Sequence, residues 1–115
     1  LGRYQSGELT REAVDQFLHR FAAYFQADAR FDLWLYFPDS QVTIVWDRHN
    51  LLYLYGPIEQ LERQLIGLGF LRGDPNVNFA HAHYYRAESD SDARELMGYF
   101  EWKFSELRPE DIQSA

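Results

Sequence analysis

The sequence predicts an α+β fold, a single domain with the element order α-β-β-β-α-β-α. Three observations carry this reading. Between Phe31 and Gly56, three short apolar runs alternate with a period of two, separated by two turn signals. Stretches beginning near Thr10, Pro57 and Ser89 place apolar residues at helical spacing. A further alternating run, Val77 to Arg86, lies between the last two of these.

Residues 1–7 are polar with two glycines and read as a loose lead-in. Thr10 can cap the first helix, and Leu9 and Val14 sit where a hydrophobic staple places them. Val14, Phe17, Leu18, Phe21, Tyr24 and Phe25 form its apolar stripe, which fades by Asp28. The first strand is Phe31 to Phe37, followed by a Pro38-Asp39-Ser40 turn. The second runs from Gln41 to Trp46. Asp47-Arg48-His49-Asn50 makes a tight hairpin, with Asn50 tolerant of a left-handed backbone. The third strand is Leu51 to Tyr55.

Gly56-Pro57 opens the second helix, with Ile58, Leu61, Leu65 and Leu68 as its stripe and Gly69 as its C-terminal cap. The fourth strand is Val77 to Arg86. Ser89 to Ser91 cap the third helix, whose stripe is Ala93, Leu96, Met97, Phe100, Phe104 and Leu107, ending at Pro109. Residues 110–115 read as a frayed tail. The three sequential strands form an antiparallel meander. The fourth adds most simply beside the first, parallel to it, giving spatial order 3-2-1-4 with helices on one face.

Composition narrows the function classes. The 115 residues suffice for one domain with one modest core. The net charge of −7 makes nucleic acid and anionic membrane poor partners and a basic protein partner easier to accommodate. There is no cysteine, hence no disulfide framework and no thiol chemistry. No apolar run is long enough to span a membrane, and the first residues do not form a signal peptide, which gives a cytoplasmic reading. Twenty Phe, Tyr and Trp exceed what so small a core is expected to bury, so some are expected at a ligand or another chain.

The alternation predicts where those exposed rings lie. If Leu33, Leu35, Ile44, Leu52 and Leu54 face the helices, the opposite sheet face carries Trp34, Tyr36, Thr43, Val45, Tyr53 and Tyr55. On the fourth strand Phe79, His81, His83 and Tyr85 join it. Such residues bury well while keeping a polar handle, and they are enriched at interfaces. The face has three readings: a second core layer, a homodimer or partner interface, or a small-molecule cleft.

The motif candidates are outweighed by structural roles. His81-x-His83 puts two imidazoles on one side of a strand, about 7 Å apart. Zinc needs a third protein ligand, and the strand order keeps Asp47 and His49 away, so no metal is assigned. Asp47 with His49 resembles an acid/base pair, but a hairpin tip offers no cleft, and a turn-forming Asp accounts for it. Gly67, Gly69 and Gly73 have the wrong spacing for a dinucleotide loop and end a helix instead of opening one. Glu88, Asp90 and Asp92 lack the glycine and the glutamate of a calcium loop and suit a helix N-terminus.

No catalytic residue, cofactor or family resemblance follows from these residues. The reading is a small acidic interaction domain, not an enzyme, that self-associates or binds a protein through Trp34, Tyr36, Tyr53, Tyr55, His81, His83 and Tyr85. The alternative is a ligand-binding protein or enzyme with a cleft around His81 and His83, positioned by Tyr36, Tyr53 and Tyr85.

Overall fold

The computed structural model describes residues 2–28, 30–74 and 87–111. Those residues form a mixed α+β structure with three α-helices and two antiparallel sheets. The chain divides into two compact units, Leu1–Ala29 with Tyr84–Ala115, and Arg30–His83.

In the first unit, strand β1 (Arg3–Gln5) leads to helix α1 (Arg11–Ala27). Thr10 caps α1 as its sequence position suggests: its hydroxyl oxygen accepts the Ala13 N–H at 3.1 Å. Phe17, Phe21 and Tyr24 are the buried residues of the helix, so the 3.6-residue stripe faces inward. A 3-10 turn (Ala87–Ser89) precedes helix α3 (Asp90–Met97), which buries Ala93 and Leu96. The Arg20 guanidinium reaches both the Asp92 and Glu95 carboxylates, tying α1 to α3.

The sequence pattern carries the third helix on through Phe100 and Phe104 to Pro109, and the structure corrects this. The helix stops at Met97, with Gly98 closing it through N–H bonds to the Arg94 and Glu95 carbonyls. The Trp102 indole N–H then donates to the Leu96 carbonyl at 3.0 Å, which also accepts the Tyr99 backbone N–H at 3.1 Å. Tyr99, Phe100 and Trp102 turn back onto α1. Phe17 lies at the centre, with ring centroids 5.2 Å from Phe21, 5.3 Å from Phe100, 5.6 Å from Tyr99 and 6.1 Å from Phe25 and Trp102.

Strand β5 (Lys103–Ser105) follows and pairs antiparallel with β1. Residues 3–5 are thus paired backbone where the composition suggests a loose segment. Tyr4 stands opposite Phe104, ring centroids 5.3 Å apart, and Arg3 bonds Asp111 at 3.4 Å.

In the second unit, β2 (Leu33–Phe37), β3 (Val42–Trp46) and β4 (Leu52–Tyr55) form the expected antiparallel meander in the order β2-β3-β4. Gln41 (φ 54°) closes the first hairpin and Asn50 (φ 63°) the second, each in the left-handed region. Helix α2 (Ile58–Gly67) packs beside β4. It ends as Gly69 predicts. Gly69 has φ 98°, its N–H bonds the Ile66 carbonyl, and the Phe70 N–H bonds the Leu65 carbonyl, the paired bonds of a Schellman motif. The fourth expected strand, Val77 to Arg86, lies outside the described residues.

Two outcomes follow from this packing. Phe17→Ala removes the ring that five others surround, and it is expected to cost about 3–5 kcal/mol in urea unfolding. A loss below 1 kcal/mol would contradict the central role of that ring. Gln41→Gly is expected to stabilise the domain by roughly 0.5–1 kcal/mol. A left-handed non-glycine costs about 1–2 kcal/mol, which exceeds glycine's added chain entropy of about 0.5–1 kcal/mol.

Candidate functional site: the aromatic face of the meander

The register fixes which side chains share a face, because directly opposite residues on antiparallel strands point the same way. Trp34 faces Val45, which faces Tyr53. Tyr36 faces Thr43, which faces Tyr55. These six residues form one surface, as the alternation predicts. Leu33, Trp46 and Leu52 form a row on the other side, and Leu35, Ile44 and Leu54 form the next.

Burial is graded along the aromatic face. Val45 is fully buried at its centre, in register between two large rings. Tyr53 and Thr43 are half-buried. Trp34 is 39% exposed, Tyr55 46% and Tyr36 63%. The face therefore packs tightly around Val45 and opens toward the Tyr36–Thr43–Tyr55 row. All six side chains are uncharged, on a chain with a net charge of −7. The leucine face is not sealed either. Its leucines and Ile44 are half-buried, apart from Leu52, which is exposed.

The hairpin beyond this surface is held by carboxylates. Asp47 is buried, and one of its oxygens accepts the N–H groups of His49 at 2.9 Å and Leu51 at 3.0 Å. That is the turn-forming role expected from the sequence, and it leaves this oxygen engaged by backbone. The Trp46 indole N–H donates to the Asn50 side-chain oxygen at 2.9 Å across the same turn. Asp32, just before β2, accepts the Arg48 backbone N–H at 2.8 Å, its Nε–H at 3.2 Å and its Nη2–H at 3.1 Å. This forked contact fixes the start of β2 against the β3–β4 hairpin.

Among the described residues, no three His, Cys, Asp or Glu side chains gather as a metal-binding group, and no helix is long and apolar enough to cross a membrane. Phe79, His81, His83 and Tyr85 lie outside the described residues. The structure thus brings together Trp34, Tyr36, Tyr53 and Tyr55 of the seven residues singled out above.

A second apolar surface went unnoticed in the sequence. Ile66, Leu68, Phe70 and Leu71 at the end of α2 are all exposed. Leu68 and Ile58 read as members of the buried stripe because they sit at helical spacing, yet Leu61 is the residue α2 buries. The run Leu68-Gly69-Phe70-Leu71, too long for a capped helix end, was the available signal.

Burial holds the Tyr53 phenol above the ordinary tyrosine value, and the Asp47 carboxylate and then Tyr55 add to the effect. The neutral phenol is the form the fold favours. Its stabilisation is complete below the ordinary tyrosine pKa of about 10 and is lost as pH rises through the higher folded value. Tyr53→Phe is therefore expected to flatten the alkaline fall in unfolding free energy measured with urea. A variant that falls as steeply as the parent would show that Tyr53 is not held neutral. No family model, curated protein or solved structure matches this chain.

Proposed function

We propose that this chain is a non-enzymatic interaction module that self-associates through the meander bearing Trp34, Tyr36, Tyr53 and Tyr55. One observation carries the reading: four rings share one uncharged sheet face, and three of them are well exposed around a buried centre. Exposed aromatic side chains bring large area at small entropic cost and are enriched at contact surfaces. A face with no charge of its own lets two acidic chains meet without opposing carboxylates at the contact.

At about 200 Å² per ring, the exposed parts of Trp34, Tyr36 and Tyr55 amount to roughly 300 Å² per copy. Burying them in two copies yields about 15 kcal/mol at ~25 cal/mol per Å². Association itself costs about 4–15 kcal/mol. The difference leaves about 0–11 kcal/mol for the assembly.

Trp34→Ser with Tyr36→Ser is expected to lower self-association at least about tenfold, the equivalent of 1.4 kcal/mol, as read by native mass and sedimentation. Far-ultraviolet circular dichroism of the variant should stay unchanged, since both rings are substantially exposed. A folded variant that assembles like the parent would remove this reading.

A further inference from the structure

The outer row of the aromatic face has the geometry of a slot. β2 and β4 flank β3 at about 4.8 Å on each side, so Tyr36 and Tyr55 stand roughly 9.6 Å apart with Thr43 between them. Strand side chains stand roughly perpendicular to the sheet, and threonine is much the shorter of the three. The phenol rings are therefore walls, and Thr43 is the floor. Exposure agrees: Tyr36 and Tyr55 are exposed, and Thr43 is half-buried. One row inward, the fully buried Val45, in register between Trp34 and Tyr53, closes the slot.

The charges at this end of the sheet have one sign. β2 and β4 both finish here, and β3 begins here. The β2–β3 turn carries Asp39, and the first turn of α2, which follows β4, carries Glu59; both are exposed. Arg48 is the one cation in the sequence from Tyr36 to Glu59, and it lies at the opposite end of the sheet, holding Asp32. A cation midway between the two phenol rings would stand about 5 Å from each, inside the ~6 Å reach of a cation–π contact. The chain makes one such contact of its own, where the Arg20 guanidinium carbon lies 4.7 Å from the centre of the Phe21 ring.

We propose that the Tyr36–Thr43–Tyr55 slot receives an arginine side chain of a basic protein partner. A guanidinium is planar and weakly hydrated, so it enters between two rings at a smaller desolvation cost than an ammonium. Its N–H groups have an acceptor in the Thr43 hydroxyl oxygen, which a quaternary ammonium could not use. The carboxylates at this end attract its charge, and the net charge of −7 steers a basic partner toward the chain. The assignment goes beyond self-association, and the two uses compete for the same rings.

The test is anisotropy of a dye-labelled Gly-Arg-Gly-Arg-Gly peptide at about 0.15 M salt, with the protein dilute enough to be monomeric by native mass. The same peptide with citrulline, the uncharged counterpart of arginine, is the control. The parent is expected to bind the arginine peptide at least about fivefold more tightly than the citrulline peptide. Tyr36→Leu with Tyr55→Leu leaves the net charge unchanged and is expected to weaken arginine binding at least about fivefold. Tyr36→Phe with Tyr55→Phe keeps both ring faces and is expected to stay within about twofold of the parent. Tyr36→Leu alone, at the more exposed ring, reads the same loss should the double variant fail to fold.

A folded leucine variant that binds like the parent would show general attraction to an acidic chain and overturn the slot, as would equal binding of the citrulline peptide. A parent that stays monomeric at every concentration, yet shows the expected ring dependence, would overturn self-association and leave the slot standing. A self-associating parent whose leucine variant binds the peptide undiminished would do the reverse.

Discussion

The double pairing of β3 is the constraint on which the surface depends. Val45 stands between Trp34 and Tyr53 in register, and Thr43 stands between Tyr36 and Tyr55. A slip of one residue would send every side chain to the opposite face and scatter the rings. The register is held at both ends. The Asp32–Arg48 contact fixes the start of β2, the Asp47 carboxylate shapes the second hairpin, and Gln41 closes the first. Gly56 allows β4 to leave the sheet. Its φ is 146°, and a Cβ there would stand 3.1 Å from the Gln41 carbonyl oxygen.

The aromatic residues serve two purposes that composition alone does not separate. In the first unit Phe17 and Phe21 are buried in the core, with Tyr99, Phe100 and Trp102 returning onto Phe17 after Gly98, while Tyr4, Tyr99 and Phe104 are themselves exposed. In the second, Trp34, Tyr36 and Tyr55 are displayed on one face of the meander. The abundance of rings is therefore only partly a sign of an interface. What distinguishes the displayed set is placement, uncharged and in register on a single face.

The meander was legible because period-two alternation and turn residues agree from Leu33 to Tyr55. Thr10 and Gly69 were legible because capping is local chemistry. The β1–β5 pair was not, since two three-residue strands separated by almost the whole chain are too short to display a period. The end of α3 was misread because Phe100 and Phe104 continue the spacing of Leu96 by coincidence. Gly98 was the local signal for the stop, and tertiary packing on Phe17 overrode the pattern. Of the candidate site, the part on β2 and β4 followed from alternation, whereas the grading of exposure around Val45 required the three-dimensional register.

The sheet is locally specified, and the proposed self-association uses its aromatic surface. Amide hydrogen exchange of Leu33–Phe37, measured in dilute and in concentrated solution, tests this most directly. Self-association through the meander predicts that these amides slow as concentration rises, because an assembled copy is stabilised against the opening that exchange requires. Exchange of β2 that is independent of concentration, with the protein folded throughout, would contradict it.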